Sequence, residues 1–178
     1  VNNFYISINY KGKMIKAYFH EHKFPYNINY IEEDKPLGTA GALKKVKGNI
    51  KSTFFVTNCD ILVYSHYPSI IEFHKKNNHD FTLITSIRNY PIPYGVCDID
   101  KSGELIRMRE KPEYNLLVNT GLYVLEPNVL ELIPDNRSFE MSELIAELNK
   151  KKMKVGVFPL SEKSWIDVGQ WKDFLKVL

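Results

Sequence analysis

The feature that most limits what this chain can fold into is a change of hydrophobic period, repeated several times before residue 90. Phe4, Ile6 and Ile8 alternate as in a strand, and then Met14, Ile15, Tyr18 and Phe19 fall at helical spacing. Ile28 to Ile31 reads as the next strand, Pro36 and Gly38 punctuate the stretch after it, and Ala40 to Val46 reads as a short helix. A buried strand over Thr53 to Thr57, a helix from about Pro68 to Asn77 turning Ile70, Phe73 and His74 inward, and a strand at Phe81 to Ser86 complete the order β-α-β-α-β-α-β. Neither period can bury its apolar face alone, and the architecture that serves both is a sheet with helices on its faces.

The middle of the chain changes character. Gly95 to Ile99, Leu105 to Arg109 and Leu116 to Leu125 read as strands separated by short turns, of which Asp100-Lys101-Ser102-Gly103 is the clearest. A hairpin-rich stretch therefore succeeds the alternating part, and the sheet is expected to be mixed. Further on, Met141, Leu144, Ile145 and Leu148, and again Trp171, Phe174, Leu175 and Leu178, mark two amphipathic helices on either side of a strand at Val155 to Leu160. No repeat, low-complexity tract or linker divides the chain, so one domain over residues 1–178 is expected, and 44% hydrophobic residues suffice for its core.

Charge excludes more than it proposes. The 24 basic and 21 acidic residues are dispersed and leave a net charge of +3, which asks for neither nucleic acid nor a membrane surface. Cys59 and Cys97 lack the paired spacing of a zinc site or a disulfide framework, which reads as a reduced, cytoplasmic protein. No apolar run approaches the roughly twenty residues that span a bilayer, and no basic-then-apolar leader precedes the first strand. The chain opens directly on a strand without an initiator Met, as an excised piece would.

Five segments hold the residue types that chemistry needs. Asp60 closes the apolar run Phe54-Phe55-Val56-Thr57-Asn58, and a carboxylate at a strand end is placed to hold a cation in the crevice where α/β sheets bind ligands. Taken alone, a turn or a helix cap is the simpler account of it. Asp167, within Trp165-Ile166-Asp167-Val168-Gly169, repeats that pattern and carries the same plain alternative. If the two carboxylates converge, they make a site for one Mg2+ on a triphosphate. Gly38-Thr39-Ala40-Gly41 leads into a helix whose free N–H groups attract phosphate or carbonyl oxygens, or it is a plain turn. Glu110-Lys111-Pro112 ends a strand; Pro112 biases Lys111 toward an extended backbone, so that Glu110 and Lys111 face opposite sides, one toward sugar hydroxyls and one toward a phosphate, unless both are a solvated charge pair. Asn119-Thr120-Gly121 interrupts an apolar strand, marking either a close approach by a ligand or a bulge.

Taken in order, Leu37 to Leu43, Asn58-Cys59-Asp60, Tyr94-Gly95-Val96, Glu110-Lys111-Pro112, Asn119 to Tyr123 and Trp165 to Gly169 resemble the sugar-1-phosphate nucleotidyltransferase family, in particular its mannose-1-phosphate guanylyltransferase-like branch. The resemblance runs from the first strand to the last helix. It implies a three-layer α/β/α domain with a mixed, mostly parallel Rossmann-like sheet. It also implies the family's reaction, in which a sugar 1-phosphate attacks the α-phosphorus of a nucleoside triphosphate, with a lean to GTP. By the same resemblance, Asp60 and Asp167 hold Mg2+ and, with Lys111 on the sugar phosphate, form the catalytic set. Leu37, Gly38, Thr39 and Gly41 meet the nucleotide, and Gly95, Glu110, Asn119 and Thr120 meet the sugar. A homo-oligomer is compatible with it.

The departures bear on activity. The family's glycine-rich phosphate loop, Gly-Gly-x-Gly-Thr-Arg with a lysine shortly after, is not in these residues, and Val1 corresponds to a point just before the family's second strand, so the first strand is lacking too. Cys59 stands where Gly is usual and Arg109 where an acidic residue is common. These residues alone are therefore expected not to turn over. Two rival readings are a metal-dependent glycosyltransferase, against which the lack of an Asp-x-Asp pair near Asp60 counts, and a non-catalytic binding or regulatory module that keeps the fold.

Overall fold

A computed structural model describes residues 1–170. Its strands are β1 (Asn3–Ile8), β2 (Asn27–Glu32), β3 (Phe54–Thr57), β4 (Ile61–Val63), β5 (Phe81–Pro91), β6 (Val96–Ile99), β7 (Leu105–Arg109), β8 (Glu113–Leu125), β9 (Val155–Leu160) and β10 (Trp165–Asp167). Its α-helices are α1 (Gly12–Glu21), α2 (Gly38–Gly41), α3 (Tyr67–Lys76) and α4 (Met141–Lys150). The amphipathic helix expected around Trp171 to Leu178 lies outside the described residues. The chain divides into two compact units, one formed by Val1–Phe54 with Leu125–Val155 and the other by Phe55–Val124 with the stretch from Gly156 onward.

In the first unit β1 and β2 pair in parallel, in register from Asn3 opposite Asn27 to Ile8 opposite Glu32. That orientation comes from α1, which carries the chain back between them, as a tight turn cannot. α2 runs on into a 3-10 turn over Ala42–Val46. A second 3-10 turn over Pro127–Leu132 is tied to it by the Lys44 ammonium on the Leu130 carbonyl (3.3 Å) and by the Lys47–Glu131 ion pair (2.6 Å). α4 buries Met141, Leu144 and Leu148, three positions on one helical face. It starts at a reciprocal cap in which Glu140 accepts from the Glu143 backbone and Glu143 accepts from the Glu140 N–H (2.8 Å).

The second unit is built around the four-stranded order β3-β8-β5-β9. Ile70 of α3, Ile84, Leu122, Val124 and Leu160 form its core, and Phe55, Ile61, Val63, Ile71 and Phe158 pack against them. His74 is fully buried on the same helix and shares its Nδ1 with the Thr82 hydroxyl (2.7 Å). The β6–β7 ribbon is antiparallel and closes through the expected turn, where the Asp100 carboxylate accepts from the N–H groups of Ser102 (2.9 Å) and Glu104 (2.8 Å) and Gly103 adopts φ +90°.

Element order agrees closely with the sequence reading, but the sheet does not. A mostly parallel sheet is expected; among the described residues the strands instead form four separate sheets in which antiparallel pairing dominates. Part of the cause is local: the short turn between β6 and β7 leaves no room for a crossover, so that pair is antiparallel, whereas β4 pairs antiparallel with the distant β10. The strand at Phe54 to Thr57 is half-buried rather than buried. β5 runs past Ser86 to Pro91, and β8 starts at Glu113. Two short strands, β4 and β10, were not foreseen, and they pair with each other.

Candidate functional site

β4 and β10 are three residues each, and their antiparallel ladder sets Trp165 opposite Val63, Ile166 opposite Leu62 and Asp167 opposite Ile61. This register carries Asp60, one residue before β4, alongside Asp167 at the end of β10. The Val168 N–H closes the ladder on the Asp60 carbonyl (2.9 Å). Beyond it, the Gly169 N–H donates to Asp167 Oδ1 (3.0 Å). A Cβ built on Gly169 would lie 2.7 Å from Asp60 Oδ2 and 3.1 Å from Asp167 Oδ1, so both oxygens crowd one point that only glycine leaves open. Asp60 is exposed and Asp167 half-buried, which leaves the pair within reach of solvent and ligand. Two hard anionic oxygens fit Mg2+, which is commonly bound by one or two carboxylates and completes its shell with water and phosphate. Among the described residues no third His, Cys, Asp or Glu joins them.

The same unit holds the loop that leads to Asp60. Asn58 donates its N–H to the Gly121 carbonyl (2.9 Å), and a Cβ on Gly121, which adopts φ +85°, would strike the Asn58 amide at 2.7 Å. Gly121 is therefore a left-handed kink in β8 over which the Asn58 side chain lies. The Trp165 indole N–H donates to the Thr120 carbonyl (3.1 Å), tying β10 to that kink, and the Arg88 guanidinium covers the indole face (4.8 Å) while pairing with Glu162 (3.2 Å).

Of the residues expected to meet a sugar, Gly95 and Glu110 come together: a Cβ on Gly95 would lie 3.2 Å from Glu110 Oε2 and 2.5 Å from the Met108 methyl. Asn119 donates to the Tyr123 hydroxyl (2.7 Å) and accepts from the Gly121 N–H (3.1 Å). Burial pushes the Tyr123 hydroxyl above the usual tyrosine range, against the lowering effect of that Asn119 bond. Thr120 corrects the expectation. It is buried, donates its hydroxyl to the Ile84 carbonyl (2.7 Å) and accepts from the Leu122 N–H (3.3 Å), because strand alternation turns it inward next to Asn119. Lys111 is a second correction. It adopts φ +43° rather than an extended backbone, since three residues must swing the chain from β7 into β8, and that demand overrides the bias from Pro112. Among the described residues no hydrogen bond or ion pair joins Lys111 to Asp60 or Asp167.

The glycine segment belongs to the first unit. Gly38 adopts φ +76°, and a Cβ there would meet Glu140 Oε1 at 2.6 Å and the Phe139 carbonyl at 2.8 Å. The expected free N–H groups are not free. Thr39 donates from its N–H (3.2 Å) and its hydroxyl (2.7 Å) to Glu140 Oε2, and Ala40 and Gly41 both donate to the Phe139 carbonyl (3.0 Å each). Leu37 is a buried anchor whose N–H donates to Glu33 (2.7 Å) and whose carbonyl accepts from Phe139 (2.8 Å). Sequence reading missed Glu140, although the spacing Glu140-Met141-Ser142-Glu143 just before an apolar helical face is a capping-box signal with Glu in place of Ser or Thr.

Comparisons agree with this arrangement at the level of family and fold. The profile of the family described as Nucleotidyl transferase matches residues 1–178. The mannose-1-phosphate guanyltransferase of Yarrowia lipolytica is 34% identical over 186 residues, covering 98% of this chain and 50% of the relative. The crystal structure of HddC from Yersinia pseudotuberculosis superposes with a TM-score of 0.71 at 26% identity, covering 99% of this chain and 77% of that one. HddC complexed with GMP-PN superposes with a TM-score of 0.69 at 25% identity, covering 97% and 75%. The chain thus spans about half the length of the curated relatives it matches. No helix among the described residues is long and apolar enough to cross a membrane.

Proposed function

The chain belongs to the nucleotidyl transferase family, and on that premise we propose that the protein moves a nucleotidyl group from a nucleoside triphosphate, GTP by preference, to a sugar 1-phosphate. An oxygen of the sugar phosphate forms a bond to the α-phosphorus, the bond from that phosphorus to the oxygen of the β-phosphate breaks, and an NDP-sugar and pyrophosphate result. The preference for guanine is supported by the mannose-1-phosphate guanyltransferase relatives and by HddC, solved with GMP-PN. Because the matched stretch is half of those relatives, the activity and substrates of the whole protein belong to the proposal.

The observation that carries the reading is the convergence of Asp60 and Asp167 on the space beside Gly169. These two residues would hold Mg2+, which when bound offsets the charge of the triphosphate. Gly95, Glu110 and Asn119 would orient the sugar, and Lys111 would bind its phosphate as a point charge. The Gly38 to Gly41 turn, anchored by Leu37, would frame the base. Thr120 has no part in sugar contact in this reading, since its hydroxyl is engaged inside the unit.

A thermal-shift panel of the four common nucleoside triphosphates, mannose 1-phosphate and GDP-mannose, each with and without Mg2+, tests it. GTP and GDP-mannose are expected to stabilise the protein only with Mg2+, by about 2.7 kcal/mol at a hundredfold excess over Kd, and Asp60→Asn or Asp167→Asn is expected to remove the Mg2+ dependence. Stabilisation by no nucleotide, or by all of them without Mg2+, would overturn the reading.

A further inference from the structure

We infer that Glu140 is a positioning residue for the nucleotide base: it holds the Gly38–Gly41 turn in its working shape before any ligand arrives. The inference rests on the proposed role of that turn and goes beyond it by assigning a residue about a hundred positions away in sequence.

The clasp is dense. Glu140 Oε2 accepts two hydrogen bonds from Thr39, and the Thr39 hydroxyl in turn accepts from the Met141 N–H (2.8 Å). The neighbouring Phe139 carbonyl takes the N–H groups of both Ala40 and Gly41, and the Phe139 N–H returns a bond to the Leu37 carbonyl. Gly38 has to be glycine because the Glu140 carboxylate and the Phe139 carbonyl occupy the place of its Cβ, quite apart from any ligand. The amides of residues 39 to 41 are thus spent on the protein. A base packed on this turn has to be recognised by the turn's shape and by its remaining groups, so selectivity depends on that shape being fixed beforehand. Hydrogen bonds to a carboxylate are the stronger kind, and the two from Thr39 are the ones a single substitution can remove.

Glu140 also caps α4, so its removal confounds shape with stability unless the cap is kept. Glu140→Ser does keep it: a serine caps a helix well but is too short to reach Thr39. Glu140→Gln retains the reach and a neutral acceptor. Glu143→Ala removes the other half of the cap and leaves the Thr39 bonds in place.

Kd for GTP and for ATP, each with Mg2+, is measured for the wild type and the three variants, alongside Tm. The wild type is expected to prefer GTP. Glu140→Ser should cut that preference about tenfold with little change in Tm, Glu140→Gln should restore most of it, and Glu143→Ala should lower Tm while leaving the preference as it was. A Glu140→Ser protein that keeps the wild-type preference overturns the role of Glu140 alone. A wild type that binds neither nucleotide, or both equally, overturns the assignment of the turn itself, and the inference falls with it.

Discussion

At the scale of single residues, the site depends as much on a missing side chain as on the carboxylates present. Gly169 shows no positive φ, so alanine there meets no backbone penalty and the whole effect of Gly169→Ala should come from crowding Asp60 Oδ2 and Asp167 Oδ1. The variant is expected to fold with a Tm near that of the wild type and to bind Mg2+ about tenfold more weakly, which calorimetric titration would register. A different carboxylate offers a pH test. Asp98 accepts from Arg107 and Arg109, and its carboxyl is held below the ordinary range chiefly by the Arg107 hydrogen bond and further by Arg109. Its contribution should therefore be complete above the ordinary Asp value, near pH 4, and fade only as pH falls below it through the lowered folded-state value. A carboxyl-carbon NMR titration in which Asp98 titrates at or above the ordinary value would contradict this. Asp60, Asp167 and Glu110 were legible as single letters because charged residues beside apolar runs stand out. The inward turn of Thr120 was not, since a hydroxyl reads the same in sequence whether it faces a ligand or a neighbouring carbonyl.

At the scale of elements, the decisive piece is the shortest. β4 and β10 each span three residues, too few for period to distinguish a strand from a loop, yet their ladder is what brings Asp60 to Asp167. The sequence suggested that the two acids converge; it did not contain the pairing that does it. Pairing information resides in partners far apart along the chain, whereas β1, α1 and α4 announce themselves locally through apolar spacing and are found where expected. The kink in β8 belongs to this scale too. Gly121 has φ +85° and supports Asn58, so Gly121→Ala should cost about 1–2 kcal/mol for the left-handed backbone alone, and more if Asn58 is displaced. Urea denaturation measures it; an unchanged midpoint would mean the kink relaxes freely. By contrast, Ile84→Ala in the core beneath should cost about 2–5 kcal/mol without altering nucleotide preference, since the residue is fully buried.

At the scale of the whole molecule, the alternation of periods foretold an α/β chain and the six spaced motifs foretold its family, which the match over residues 1–178 establishes. The sheet is not the mostly parallel one expected, because alternation fixes which elements occur but not which strands pair or in which direction. Each of the two compact units draws on two stretches of chain, and no linker composition marks the crossings between them. In the proposed function, fold and chemistry would be linked by one cation held jointly by Asp60 and Asp167. Mn2+ binding, followed by electron paramagnetic resonance in the presence of GTP, tests that on the wild type, Asp60→Asn, Asp167→Asn and the double variant. One ion per chain is expected, with about a tenfold or greater loss of affinity in each single variant and a double variant scarcely worse than either, the mark of two groups serving one ligand. Two independent ions, or a single variant that binds Mn2+ as the wild type does, would contradict it.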